Sequence, residues 1–236
     1  MPKAIFVDTS RCTACRGCQA GCKEWKDFPG VPTKQQGTHQ NPPDLNPYNV
    51  KLVRFSEHLI DGKVAWYFFP DQCRHCLEAP CMMTASNPEA IVRDEATGAV
   101  IFTDKTRDED AEAIRQACPY NIPRKDEKTG LLVKCDMCID RVQAGKLPMC
   151  VQSCAMGAMH FGERAEILSQ AKSRLDAVKK EFPKAQLLDA DSVSVIYLVL
   201  NDPALYHEFA VAQGPSPMNR ADFLAGLTKP FRNILG

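Results

Sequence analysis

Apolar positions along this 236-residue chain fall in short runs whose spacing changes toward the C-terminal end. AIFVD at 4–8, AWYFFP at 65–70 and AVIFT at 99–103 have strand length. AVIFT follows the turn-like Glu95-Ala96-Thr97-Gly98. VKLVRF at 50–55 and VAWYFF at 64–69 lie either side of Asp61-Gly62, which predicts a hairpin. Over 163–182 the period lengthens. Leu168, Ala171, Leu175, Val178 and Phe182 recur at three- and four-residue spacing, so a helix with one buried face is expected. VSVIYLVL at 193–200 reads as a buried strand; it is the longest apolar run and far too short to span a bilayer. Residues 26–50 are rich in Pro, Asn and Gln, the composition of an irregular surface segment, here expected to be ordered against a neighbour. In the tail 214–236, Phe223, Leu224, Leu227, Phe231 and Leu235 have little local core to enter. Docking on a partner suits them as well as packing on their own domain.

Acidic and basic residues balance at 29 each, so nothing points to nucleic acid or a charged membrane surface. The opening MPKAIFVDTSRC lacks a charged region followed by a long apolar stretch, so no export signal of its own is expected. Twelve cysteines change the picture. They form four groups: Cys12, Cys15, Cys18 and Cys22; Cys73, Cys76 and Cys81; the lone Cys118; and Cys135, Cys138, Cys150 and Cys154. Four cysteines within eleven residues are hard to reconcile with separate disulfides to distant partners. Zinc sites use two C-x2-C pairs across a spacer, not a 2-2-3 run. The 2-2-3 spacing is that of a [4Fe–4S] ferredoxin.

In two-cluster ferredoxins the fourth cysteine of a run binds the cube held by the partner run. Each of the three ways of pairing the four groups can be tested against that rule. Two of them leave broken sites. The nested pairing leaves none: Cys12, Cys15, Cys18 and Cys154 form one set; Cys22, Cys135, Cys138 and Cys150 a second; Cys73, Cys76, Cys81 and Cys118 a third. A fourth set would need positions 85, 108, 111 and 114, which are Ala85, Asp108, Ala111 and Ile114. All of its ligands are absent together, so three [4Fe–4S] clusters are expected. The implied fold is α+β, with two nested bacterial-ferredoxin-like modules, loop insertions and a C-terminal helix, strand and tail. The outer module is 1–25 plus 130–162 with two clusters. The inner is 66–125 with one cluster and a lost site. Residues 26–65 are an insertion and 163–236 a C-terminal extension, expected to dock a partner.

No catalytic constellation stands out. The histidines His39, His58, His75, His160 and His207 are expected on the surface or in packing roles. Asp136 and Asp140 read as solvated or backbone-bonded; Lys134 and Arg141 are close enough in sequence to the last group to tune a cluster. No G-x-G-x-x-G or phosphate-binding loop occurs. Three one-electron centres without a catalytic site describe a relay, with partners at both ends.

The runs CTACRGCQAGCKEWK, HQNPPD, FFPDQCRHC, ACPYNIPRK and KCDMCIDRVQAG together resemble the iron–sulfur beta subunits of soluble tungsten- or molybdenum-containing formate dehydrogenases of sulfate-reducing bacteria. These sit within a broader family of four-cluster ferredoxin-like electron-transfer subunits. The resemblance covers about residues 4–210. It implies a non-catalytic subunit with three cubes, paired with a large catalytic subunit. That partner holds a bis-pterin-guanine-dinucleotide tungsten or molybdenum and its own [4Fe–4S] cluster. Electrons from formate oxidation, or toward CO2 reduction, would cross this chain to or from an acceptor such as a multihaem cytochrome c. The resemblance also implies a periplasmic heterodimer, exported on the twin-arginine signal of the partner; the alternative is cytoplasmic. One departure is Ala155, where the family usually has Pro after the last cysteine. Membrane-bound relatives carry a C-terminal transmembrane helix, and the lack of one here argues against direct anchoring. The alternatives are an equivalent relay for a nitrate, polysulfide or arsenate enzyme, or a free polyferredoxin. The tail and the long insertion argue against a free carrier.

Overall fold

The computed structural model describes residues 2–212. In chain order the strands and helices are β1 (Lys3–Asp8), α1 (Gly17–Trp25), β2 (Leu52–Ile60), β3 (Lys63–Asp71), α2 (Pro80–Thr84), β4 (Ile91–Arg93), β5 (Val100–Phe102) and α3 (Ala111–Ala117). They continue with β6 (Arg124–Lys125), β7 (Leu132–Val133), α4 (Ile139–Gln143), α5 (Met149–Gln152), β8 (Met159–Glu163), α6 (Arg164–Lys179), β9 (Gln186–Leu188) and β10 (Val195–Val199). The mixture of helices and small sheets is α+β, as expected.

The one sheet larger than a hairpin has the order β8-β1-β10-β9. β1 and β10 run parallel, with Ile5 opposite Val195 and Val7 opposite Tyr197; β8 and β9 are antiparallel to their neighbours. Strand alternation sends residues to two different cores. Ala4, Phe6, Ile196 and Leu198 face α6, which contributes Ile167, Ala171 and Val178. Ile5, Val7, Val195, Tyr197 and Val199 face the cysteine-bearing half, beside Cys18, Cys150 and Met137. Burial on both faces explains why AIFVD and VSVIYLVL read as unbroken apolar runs.

The C-terminal helix stops at Lys179, three residues short of the expected end, though Phe182 still packs against the same core. Residues 163–212 are built into this chain's own centre. Every residue of β10 is buried, so this part of the extension is a structural element. The apolar tail 214–236 lies outside the described residues. The segment 26–49 is irregular, as its composition suggests, and it is tied down by its own chain. Arg16 donates to the His39 carbonyl at 3.0 Å, Gln19 to that of Asn41 at 2.8 Å, and Arg124 to that of Leu45 at 2.9 Å.

The expected hairpin is present. β2 and β3 pair along their whole length about Asp61 and Gly62, both at positive φ; the 65/66 boundary therefore falls inside β3. Two smaller hairpins, β4–β5 and β6–β7, share a turn that the sequence reading did not pair. Asp94-Glu95-Ala96-Thr97-Gly98 and Asp126-Glu127-Lys128-Thr129-Gly130 have the same bonds. In each, the glycine amide donates to the aspartate carbonyl at 2.7 Å, with φ of 75° and 77°. Each threonine hydroxyl bonds the aspartate carboxylate. No helix among the described residues is long and apolar enough to cross a membrane.

The hairpin is joined to the sheet through buried charge. The Asp71 carboxylate, fully buried, accepts from Arg54 Nε at 3.1 Å, Arg54 Nη2 at 2.9 Å and Arg74 Nη1 at 3.1 Å. Arg74 in turn stacks over Tyr197 of β10 at 4.4 Å from the ring centroid. Removing the carboxylate leaves buried guanidinium groups without their anion. We expect Asp71→Ala to destabilise the fold by about 3–5 kcal/mol, seen as a lowered unfolding midpoint. A loss under about 1 kcal/mol would show that water or Asp44 replaces the pair.

Candidate metal centres

The C-x2-C pair that opens each of the three cysteine runs has one backbone geometry. In each, the residue just before the second cysteine lies in the left-handed region: Ala14 at φ 54°, His75 at 48° and Met137 at 62°. Its amide donates back to the first sulfur, at 3.4 Å for His75 to Cys73 and for Met137 to Cys135, with Ala14 doing the same for Cys12. A left-handed non-glycine residue costs roughly 1–2 kcal/mol, so the same bend at all three places turns both sulfurs of each pair to one side at a cost the surrounding fold must offset. The two terminal cysteines also match. Asn121 N donates to the Cys118 carbonyl at 3.0 Å, and Gly157 N to that of Cys154 at 3.1 Å, with φ of 51° and 57°. Ala155 therefore stands in the same turn as Pro119. Gly157 supplies the backbone freedom there, and the missing proline does not move the cysteine out of place.

Cys12, Cys15, Cys18 and Cys154 line one small cavity, walled by Val53, Pro70 and Met159. Cys73, Cys76, Cys81 and Cys118 line another, walled by Val100, Tyr120 and Lys134. Cys22, Cys135, Cys138 and Cys150 are all buried, and Cys22 lies within electrostatic reach of the other three. The sets also follow one another in space: Cys18 of the first shares a buried cluster with Cys150 of the second, and Cys73 of the third packs against the cluster that holds Cys135 of the second.

Burial pushes these thiols up, with help from neighbouring sulfurs: Cys12 to about 11, and Cys76, Cys81 and Cys150 to about 12. Such thiols hold their protons at neutral pH unless a cationic centre replaces them. Among the described residues no three Cys, His, Asp or Glu side chains converge as a single metal ion requires. The sulfurs of the first and third sets surround a volume instead of a point, a donor set that fits a multi-iron cluster better than one ion.

Of the four positions that a fourth set would need, three hold apolar side chains. Ile114, 1% exposed, packs with Ile91, Val100 and Leu132, and Ala85 and Ala111 lie against them. Asp108 is exposed at the end of a short 3-10 turn. His75 is fully buried, with Nδ1 accepting from the Val100 amide at 3.0 Å, so it holds the C-x2-C loop to β5. Asp136 and Asp140 are neither free nor backbone-bonded alone: both pair with Lys26, at 2.6 and 3.3 Å. Arg141 stacks on Trp25. Lys134 does reach a cysteine cavity. Sequence reasoning missed Lys51 and Arg74, whose burial is decided by the fold around them and not by any local pattern.

The distant cysteine groups meet because α1 lies directly on α5. A Cβ added at Gly17 would sit 2.9 Å from the Ser153 carbonyl oxygen, and one at Gly21 would collide with the Ser153 side chain. We expect Gly17→Ala to push α1 off α5, destabilise the protein by about 1–3 kcal/mol and lower its iron content. Unchanged stability and iron would mean that the contact is slack.

Sulfur-ringed cavities in a small-sheet α+β scaffold place the chain among the ferredoxin-like iron–sulfur proteins of electron transfer. The 4Fe-4S dicluster domain model matches residues 64–164. Formate dehydrogenase 2 subunit beta (cytochrome c-553) of Nitratidesulfovibrio vulgaris is 55% identical over 216 residues, covering 89% of this chain and 99% of the relative. Formate dehydrogenase subunit beta of Megalodesulfovibrio gigas is 53% identical over 215 residues, 90% and 100% of the two chains. The nitrate-inducible formate dehydrogenase iron-sulfur subunit of Escherichia coli is 33% identical over 210 residues, 86% and 71%. The chain belongs to the formate dehydrogenase beta (iron–sulfur) subunit family.

Proposed function

We propose that this chain is the electron-transfer subunit of a formate dehydrogenase and carries three [4Fe–4S] clusters. Cys12, Cys15, Cys18 and Cys154 ligate the first, Cys22, Cys135, Cys138 and Cys150 the second, and Cys73, Cys76, Cys81 and Cys118 the third. The observation that carries this reading is the grouping of sulfurs: each cavity takes cysteines from two distant parts of the chain, in the nested order. Two ferredoxin-like modules, one inside the other, follow from that order. The contacts of α1 with α5 and of α2 with α3 support it.

When bound, the clusters supply one-electron carriers. The chain's own residues hold, insulate and space them. Set two, with every sulfur buried, stands between the other two; set one includes the exposed Cys15. Electrons therefore run along a line, with set two in the middle and set one as a port at the surface. The subunit is itself non-catalytic. Its partner at one end is a large catalytic subunit with a bis-pterin-guanine-dinucleotide tungsten or molybdenum and its own [4Fe–4S] cluster. At the other end is an acceptor such as a multihaem cytochrome c, as the family resemblance implies; the name of the Nitratidesulfovibrio relative, which includes cytochrome c-553, favours a c-type cytochrome without giving its haem number. The complex is a periplasmic heterodimer exported through the partner's signal, a reading taken from the family resemblance.

Iron and acid-labile sulfide on anaerobically isolated protein test the count: about twelve irons per chain are expected. Cys118→Ala should then remove the third cube or convert it to a three-iron cluster, lowering iron to about eight or about eleven per chain respectively and leaving the EPR signals of the other two. Unchanged iron and EPR would show that Cys118 is no ligand and the nested assignment is wrong.

A further inference from the structure

Lys51 and Lys134 are the buried lysines among the described residues, at 2% and 8% exposure. Lys51 Nζ donates to the Pro70 carbonyl at 2.9 Å and to Gln72 Oε1 at 2.6 Å. Lys134 Nζ donates to the carbonyls of Val100 at 2.5 Å and Cys135 at 3.0 Å. All four acceptors are neutral. Among the described residues neither ammonium has a carboxylate at ion-pair distance, whereas the buried Arg54, Arg74 and Arg124 each have one and the buried Arg141 lies on the Trp25 ring. A buried cation with only neutral partners is costly, so native folds supply an anion.

The surroundings show which anions are within reach. Lys51 acts on Cys18 of the first set and on Cys150 and Cys135 of the second. Lys134 lines the cavity of the third set, acts on Cys81, and bonds the backbone of Cys135 in the second. One lysine thus stands at the junction of sets one and two, the other at the junction of sets two and three. A cube with its four thiolates is an anion in both redox states, and more so when reduced.

We propose that Lys51 and Lys134 are positioning charges of the relay, each fixing an ammonium between two cubes and making both easier to reduce. The proposal rests on the three-cube reading above. It needs no proton transfer: an electron enters one cube and leaves through the next, and the lysine keeps its proton throughout. The ammonium also shields neighbouring reduced cubes from each other, which favours an electron's residence on either side of the junction.

The test uses the purified complex, with Lys51→Met, Lys51→Arg, Lys134→Met and Lys134→Arg. Iron per chain is counted first, and midpoint potentials are then measured by EPR-monitored redox titration. The methionine variants should keep their iron. Reduction of the adjoining cubes should become at least tenfold less favourable, a drop of about 59 mV per cube. Lys51→Met should act on the first and second cubes, and Lys134→Met on the second and third. The arginine variants should stay within that margin of the parent. Full iron with unchanged potentials, or an equal shift of all cubes in either variant, would overturn the proposal. Iron lost from Lys51→Met but kept in Lys51→Arg supports the charge; iron lost from both assigns the site to packing and overturns it. A parent protein without three cubes fails the relay reading itself, before any variant is made.

Discussion

The contact of α1 on α5 is the constraint on which the rest of this chain depends. Residues 12–22 and 135–154 are separated by more than a hundred positions, and closing so long a loop carries an entropy penalty that local structure cannot offset. The penalty is met by the sheet. β1 leads directly into the first cysteine run, β8 leaves the last, and the two strands pair from Lys3–Glu163 to Val7–Met159. β10 then seals the other side of β1 in parallel. With both arms fixed to one sheet, the approach of Gly17 and Gly21 to Ser153 is set by strand geometry. A side chain at either glycine would separate the helices that bring Cys18 and Cys22 to Cys150 and Cys154.

Around that contact the chain places its charges in two ways. Arg54 and Arg74 converge on Asp71, so that the hairpin, the loop at Cys73 and Tyr197 of β10 move as one body. This cluster is supplied with carboxylates by Asp71 and Asp44, although Arg74 Nη2 is buried without a hydrogen-bond partner. Lys51 and Lys134 are not so supplied, because their hydrogen bonds end on neutral oxygens. The difference follows the geometry. The arginines lie between structural elements, whereas the lysines lie between sets of sulfurs. In a low-dielectric interior a fixed charge acts on its surroundings more strongly than in water, which is the basis of the role proposed for the two lysines.

Much of this was legible in the sequence because cysteine spacing and strand-length apolar runs are local signals. β1, the hairpin about Asp61-Gly62 and α6 follow from pattern alone. The expected cysteine grouping is the one in which the sulfurs stand near each other, and its ligation of clusters is the proposal made above. What was not legible depends on distant partners. MHFGE at 159–163 alternates too weakly to mark β8, which is a strand because β1 offers it an edge. The parallel pairing of β1 with β10 leaves no local trace, so residues 163–212 read as an appendage although they complete the core. Lys51 sits inside an apolar run as any strand lysine would, and only the packing of β3 over it makes it a buried charge. The repeated D-E-x-T-G turn was visible in the letters, and pairing the two copies would have located β6 and β7.

The apolar cluster at Ile114 occupies positions at which the proposed nested pairing would call for a fourth cube. Burial holds thiols of this protein in their protonated form, and a pocket with three cysteines and no cluster would keep polarizable, oxidisable groups around a void. Voids in a core destabilise roughly in proportion to their volume. Replacing the ligand positions together by Ala85, Ala111 and Ile114 fills the space with side chains that need no partner, and Asp108, at the rim, is left in solvent. Cys118 is spared by its place on the helix. Ile114 is one turn earlier and points into the apolar cluster; Cys118 caps α3 and turns toward Cys73 and Cys76. One short helix thus borders a filled site on one side and a sulfur-lined cavity on the other.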